Sequence, residues 1–355
     1  MLVNVQALRG LAALLVVFVH LEVLARLAGL PAGLTAFGNC GVDVFFVISG
    51  LIMVVTTSGK KQTPQGFLRN RLTRIAPLYW AITLVVFAIA LIAPALLQNT
   101  TADPIHLLKS LAFIPHERGD GTMHPMVFVG WTLNYEMAFY VIFAAGLTLP
   151  NRLAGLALSI VVLVAAATYG QLAQPKNPVL AFYTTPMILE FGAGMALGAL
   201  FVRERLPKAR AWGVPAVILG AAALAVMLAG PWLWPDVDRA AMFGIPAVVI
   251  VTCGLMAERA GLALNQGWIQ LLGAASYSIY LSHFFCTQVV TKAAEKLAGF
   301  GPVAMWALVP VVFLLVAMVG VFVHRRVELP LTDLARRWIA PLGPRPRPTI
   351  AGGAW

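Results

Sequence analysis

Within the apolar stretch from Ala7 to Val23, one arginine and one histidine, Arg9 and His20, stand eleven residues apart. At 3.6 residues per turn that is about three turns, so a continuous helix puts both on one face, roughly 16 Å apart along the axis. A bilayer core is about 30 Å thick, so a cation near one membrane surface would share its stripe with an imidazole beyond the midplane. Arginine in hydrocarbon costs at least about 2.5 kcal/mol on insertion scales, so the pair should face protein or a wet cavity. An imidazole can take up and return a proton near neutral pH, which makes His20 a candidate general base. The plainer alternative has Arg9 snorkelling to the surface and His20 satisfying a neighbouring helix.

Other ionisable groups recur at comparable places. Asp43, in the run Gly41-Val42-Asp43-Val44-Phe45-Phe46-Val47-Ile48-Ser49-Gly50, falls about two turns into its helix, near the expected depth of His20. A carboxylate there could fix the imidazole tautomer, or it could simply complement the N-terminal helix dipole. Glu136, in Trp131-Thr132-Leu133-Asn134-Tyr135-Glu136, falls near the middle of a span, where a carboxylate requires a partner or a water-filled cavity. Arg71 and Arg74 are at i and i+3 in an amphipathic segment, forming neighbouring forks suited to phosphate oxygens. Plain juxtamembrane arginines that fix topology and touch anionic lipid would look the same. His283 closes a second aromatic and serine-rich run, Ser276-Tyr277-Ser278-Ile279-Tyr280-Leu281-Ser282-His283. A loop over about 98–125 carries His106, His116, Glu117, Asp120 and His124, with no histidine pair at i and i+4, so it reads as a solvated lid or acceptor-binding surface and not as a metal site.

The elements that must position these groups follow from composition. With 60% hydrophobic residues, 11% charged residues and a mean hydropathy of +0.85, the chain is outside the soluble class and reads as an all-α, polytopic membrane bundle. Ten apolar segments have suitable length: 5–27, 36–57, 75–97, 126–148, 153–170, 179–202, 212–230, 240–257, 268–290 and 303–324. Of the 25 Lys and Arg residues, seventeen fall on the amino-terminal side of these spans and seven on the other, with Arg9 left aside. That asymmetry places both termini in the cytoplasm, and it accounts for the net charge of +11 without nucleic acid. Cys40, Cys253 and Cys286 have no paired spacing for a disulfide framework or zinc. The start lacks a basic n-region and an A-x-A-like site, as expected of a retained first helix. Phe191-Gly192-Ala193-Gly194-Met195-Ala196-Leu197-Gly198 offers small residues for helix packing. A membrane domain over 1–330 is then followed by a short basic, Pro-rich cytoplasmic tail over 331–355, whose Pro344–Pro348 run is expected to be disordered.

In their order, these motifs resemble the acyltransferase 3 family of bacterial membrane proteins. The matching pieces are Arg9 and His20 with ten residues between them, the G-V-D-V-F-F-V-I-S-G block, R-x-x-R-I-A-P-L-Y-W from Arg71, W-T-L-N-Y-E followed by Phe139-Tyr140, S-Y-S-I-Y-L-S-H, and Glu328-Leu329-Pro330. They span residues 7 to 330, and their joint order is more specific than any one of them. The chain departs from the family at Phe284-Phe285, where a proline is common. The resemblance implies transfer of an acyl group, usually acetyl, from cytosolic acyl-CoA to a hydroxyl on the far side of the bacterial inner membrane. It also implies the stand-alone type, whose acceptor is a glycan such as an exopolysaccharide or a lipid-linked sugar. On that reading the CoA phosphates dock at Arg71, Arg74 and Arg9. His20 acts as general base or covalent acyl carrier, oriented by Asp43 or Glu136, while Trp131, Tyr135 and His283 lie toward the acceptor. A transporter or flippase would also suit intramembrane charges and interrupted spans. Against it, no inverted repeat of motifs relates the two halves, and the charges concentrate in the first 140 residues.

Overall fold

Local sequence signals set the helix ends, and apolar burial sets their packing. The computed structural model describes residues 2–59, 62–97, 100–117 and 121–339. Lys60, Lys61, Arg118, Asp120 and the Pro344–Pro348 run lie outside the described residues. Among those described there is no strand, only an isolated bridge between Glu117 and Met123. We number the helices α1 Val3–Val19, α2 Glu22–Leu27, α3 Cys40–Thr57, α4 Pro64–Ile92, α5 Pro104–Leu111, α6 Trp131–Gly146, α7 Arg152–Ala173, α8 Pro178–Tyr183, α9 Ile188–Val202 and α10 Gly213–Leu233. The last five are α11 Ile245–Arg259, α12 Gly267–Ala274, α13 Ser276–Leu297, α14 Pro302–Val323 and α15 Leu329–Ile339.

Several starts are capped as their sequence dictates. Thr63 accepts from the Gly66 N–H at 3.1 Å ahead of Pro64, and Asn151 and Asn177 do the same for α7 and α8. Seven helical segments among the described residues are long and apolar enough to cross a membrane. They are Leu34–Thr57, Pro64–Ile92, Arg152–Ala173, Pro178–Val202, Arg210–Leu233, Ala240–Arg259 and Pro302–Trp338. The expected spans 5–27, 126–148 and 268–290 coincide with helices that are shorter or more polar: α1 with α2, α6, and α12 with α13. These three carry His20, Glu136 and His283, while Asp43, Arg71 and Arg74 lie on segments that meet the criterion. On the periphery, Val161, Ile218, Val303 and Leu314 are exposed, as lipid-facing side chains must be.

α1 lies centrally, packed against α3, α11, α12 and α13. The tightest seam joins α3 to α9. A Cβ added at Gly50 would stand 2.1 Å from the Phe191 carbonyl oxygen, and one at Gly194 would stand 2.0 Å from that of Val47. Only hydrogen in those places permits the backbones to approach so closely, which is the packing role expected for the Gly192–Gly198 run.

The sequence expectation of one unbroken helix from Ala7 to Val23 is corrected. α1 ends at Val19, and the N–H groups of His20 and Leu21 turn back to the Val17 and Phe18 carbonyls, both at 3.0 Å. This tightened last turn satisfies carbonyls that the helix end would otherwise strand. α2 then starts at Glu22, whose carboxylate accepts from Thr35 Oγ1 at 2.6 Å and from the Gly33 N–H at 3.1 Å. The division drawn at residue 330 falls inside a helix, because α15 begins at Leu329 and packs on α4.

Candidate active site

A cavity of about 620 Å³ opens between α1, α3, α4, α6, α13 and α15. Arg9, Arg71, Arg74 and Glu136 all line it, although they come from three helices distant in sequence. Arg9 is held by a 3.3 Å hydrogen bond to Gln6 Oε1, and Gln6 also lines the cavity. Arg71 donates to Thr56 Oγ1 at 2.8 Å, and its guanidinium lies over the rings of Phe67 and Tyr140, 5.4 and 5.7 Å from their centroids. Arg74 makes no hydrogen bond or ion pair among the described residues, so its fork is presented to the cavity.

Glu136 is the cavity's lone carboxylate lining group, and it is engaged. Its Oε1 accepts from Ser49 Oγ at 2.7 Å and from the Tyr140 hydroxyl. Ser49 belongs to the block that carries Asp43, so the two motifs meet through this bond and not through His20. Arg9, Arg71, Arg74 and Arg336 with one satisfied carboxylate leave the lining cationic, a chemistry suited to phosphate or carboxylate oxygens. The wall opposite is apolar, formed by Val42, Phe45, Phe46, Ile48 and Leu133.

His20 lies beyond the cavity's inner end. Its ring is half-buried and makes no hydrogen bond among the described residues. It packs edge-on against Phe128 and Phe284, at 5.7 and 5.6 Å, and lies 5.0 Å from the ring of His283. His283 is fully buried, and its Nδ1–H donates to the Tyr280 carbonyl at 2.6 Å. The tautomer is therefore set by the backbone of α13, leaving the lone pair on Nε2, which has no hydrogen-bond partner. α13 runs unbroken through Phe284-Phe285, and Phe284 also stacks on Phe128, 5.8 Å away. Phe284 thus builds part of the aromatic box around His20. Tyr280 stands between the imidazoles and the cavity; its hydroxyl bonds Thr132 Oγ1 at 2.8 Å and the Val129 carbonyl at 2.9 Å.

Asp43 does not orient His20. Its Oδ2 accepts from Arg239 at 2.9 Å, and its side chain is wholly buried near Glu190. The titratable ring packed against His20 is that of His283 from α13, 5.0 Å away. Glu136 has no hydrogen bond to His20 either. Trp131 and Tyr135 lie outside the cavity lining. Tyr135 stacks on Phe182 at 4.1 Å and donates to the Phe182 carbonyl, while Trp131 packs edge-on against Tyr135.

Sequence reasoning missed Gln6, Asn70, Tyr277 and Arg336 in the cavity. Tyr277 was legible as part of its motif; the others carry no local signal. Glu328 of the Glu-Leu-Pro motif is structural: it accepts from Ser278 Oγ and pairs with His324, both at 2.7 Å, pinning α13 to the π-helical turn between α14 and α15. In the His106–His124 loop, His106 bonds the His124 carbonyl and His116 bonds Lys109, both at 3.1 Å. No cluster of three or more metal-ligating side chains occurs among the described residues.

An apolar helical bundle with seven helices among the described residues long enough to cross a membrane, enclosing an arginine-lined chamber, defines a multi-pass membrane protein. The family described as "Acyltransferase domain" (acyltransferase 3) matches residues 2–325, and the chain belongs to that family. It is 36% identical over 314 residues to the exopolysaccharide production protein ExoZ of Rhizobium meliloti (strain 1021), covering 84% of this chain and 91% of that one. It is 26% identical over 376 aligned residues to the acyltransferase MdmB of Streptomyces mycarofaciens, covering 94% and 92%. No solved structure matches the chain.

Proposed function

We propose that this acyltransferase moves an acyl group, acetyl in the simplest case, from cytosolic acyl-CoA to a hydroxyl of an extracytoplasmic or lipid-linked glycan of the exopolysaccharide kind. The observation that carries the reading is the convergence of Arg9, Arg71 and Arg74 on one chamber whose inner end faces the aromatic wall before His20. Phosphates of CoA take the guanidinium forks, and the pantetheine arm extends along the apolar wall. His20 removes the proton from the acceptor hydroxyl, whose oxygen attacks the thioester carbonyl; the carbon–sulfur bond then breaks, and the departing CoA thiolate receives the proton from His20. A covalent acyl-imidazole would divide the same transfer into two displacements. The His20 ring is held among the rings of Phe128, Phe284 and His283, with no carboxylate hydrogen-bonded to it among the described residues.

The orientation that fits has both termini in the cytoplasm of a bacterial cell and ten passages of the inner membrane, the three interrupted ones being lined by protein and not by lipid. The acceptor side follows from the exopolysaccharide wording of the ExoZ relative and from the position of His20 opposite the arginine end. His20→Ala tests the chemistry. It should lose acyl transfer by at least about a hundredfold, the low end for a positioned acid–base group, with detergent stability near that of the parent. Near-parental turnover in this variant would overturn the role of His20. A carrier protein would show no acyl transfer in the parent either.

A further inference from the structure

The chamber holds a fourth arginine that belongs to none of the motifs. Arg336, on the amphipathic helix α15, lines the same cavity as Arg71 and Arg74, with Gln62 and Asn70 beside it. Its side chain is 46% exposed, whereas Arg9, Arg71 and Arg74 are half-buried, so it sits at the mouth. It also pairs with Asp333, 3.8 Å between charged atoms with the aspartate 64% exposed, a surface contact of small energy. α15 is fixed where it is by packing on α4 and by the Glu328–Ser278 bond at its base, so Arg336 is a built part of the chamber.

Acyl-CoA carries its phosphates in two places, a diphosphate adjoining the pantetheine arm and a monoester on the ribose at the far end. Because the thioester must point inward, the diphosphate falls among the inner arginines and the ribose end remains at the mouth. A phosphate monoester bears a charge of about −1.5 to −2 at neutral pH, the type of group an exposed fork recruits from water. Resting on the acyl-CoA reading above, we propose that Arg336 forms the subsite for the ribose 3′-phosphate of the donor, making α15 part of donor recognition.

The test compares binding of acetyl-CoA and 3′-dephospho-acetyl-CoA to the purified full-length protein in detergent, for the parent, Arg336→Ala, Arg336→Gln and Arg74→Ala. The parent should bind the dephospho compound about tenfold or more weakly, the scale of one charge-assisted contact. Arg336→Ala and Arg336→Gln should bind the two alike, within about threefold, by losing affinity for acetyl-CoA alone. Arg74→Ala should weaken both and keep the parental ratio. A parental ratio retained in both Arg336 variants, or no discrimination in the parent, overturns the subsite while leaving the donor intact. Failure of the parent to bind either compound would instead overturn the acyl-CoA reading itself.

Discussion

Replacing Arg74 isolates donor binding from everything else the chamber does. Its guanidinium has no protein partner among the described residues, so Arg74→Ala removes a cavity cation and breaks no internal bond. A hydrogen bond to a charged group contributes about 1.5–3 kcal/mol, which converts to roughly ten- to a hundred-and-fiftyfold in affinity. Arg71→Ala makes the contrast. That change also forfeits the bond to Thr56 and the stacking over Phe67 and Tyr140, so it should lower the detergent melting temperature as well as the affinity. Arg74→Lys should restore only part of the loss, because an ammonium cannot reproduce a two-pronged contact. Titration calorimetry with acetyl-CoA, read beside melting curves, gives both quantities. Full rescue by lysine, or unchanged affinity in Arg74→Ala, would refute the reasoning and reduce the residue to a topological charge.

The buried ion pair on the other side of α3 should respond asymmetrically. Arg239→Ala strands the fully buried Asp43 and should cost about 3 kcal/mol or more in stability, whereas Asp43→Asn leaves a partly exposed arginine and should cost less; equal losses in denaturant titrations would count against an uncompensated carboxylate. Single cysteines at Arg205 and Thr122 should react with membrane-impermeant reagent from the cytoplasmic and the external side respectively. The native Cys40, Cys253 and Cys286 are buried and should contribute little background, and labelling of Thr122→Cys only after permeabilisation would reverse the proposed orientation.

What the sequence made legible was whatever depends on local pattern. The apolar runs announce the helices, the glycines at 192–198 announce a close seam, and Arg71 with Arg74 announce a paired fork that does meet Arg9 and Glu136 in space. The end of α1 at Val19 was not legible, because no glycine or proline marks it and the turn is made by the surrounding packing and the Glu22 tether. The partner of Asp43 was hidden for a different reason: Arg239 is 196 residues away, and equal depth in two helices does not establish contact. Arg336 escaped because it lies in a segment whose composition reads as a tail, while its amphipathic face belongs to the bundle. Trp131 and Tyr135, both motif residues, pack on each other, and Tyr135 on Phe182, outside the chamber lining.

The lining of the chamber stops at Val42, Phe45, Thr132 and Tyr280, and the two histidines lie on the other side of that wall. In an energised membrane such a wall would serve as insulation. Moving one elementary charge across 100 mV releases about 2.3 kcal/mol, so a standing water column from the arginine chamber to the histidine pair would leak protons and spend the gradient continuously. The ring of Tyr280, tethered at its hydroxyl by Thr132 and Val129 and 5.9 Å from that of Phe45, is the side chain placed to oppose such a column. On the proposed donor path, an acyl chain would have to pass this wall as a plug that fills the gap it opens, which would couple permeability to turnover and favour a short acyl group over a long one.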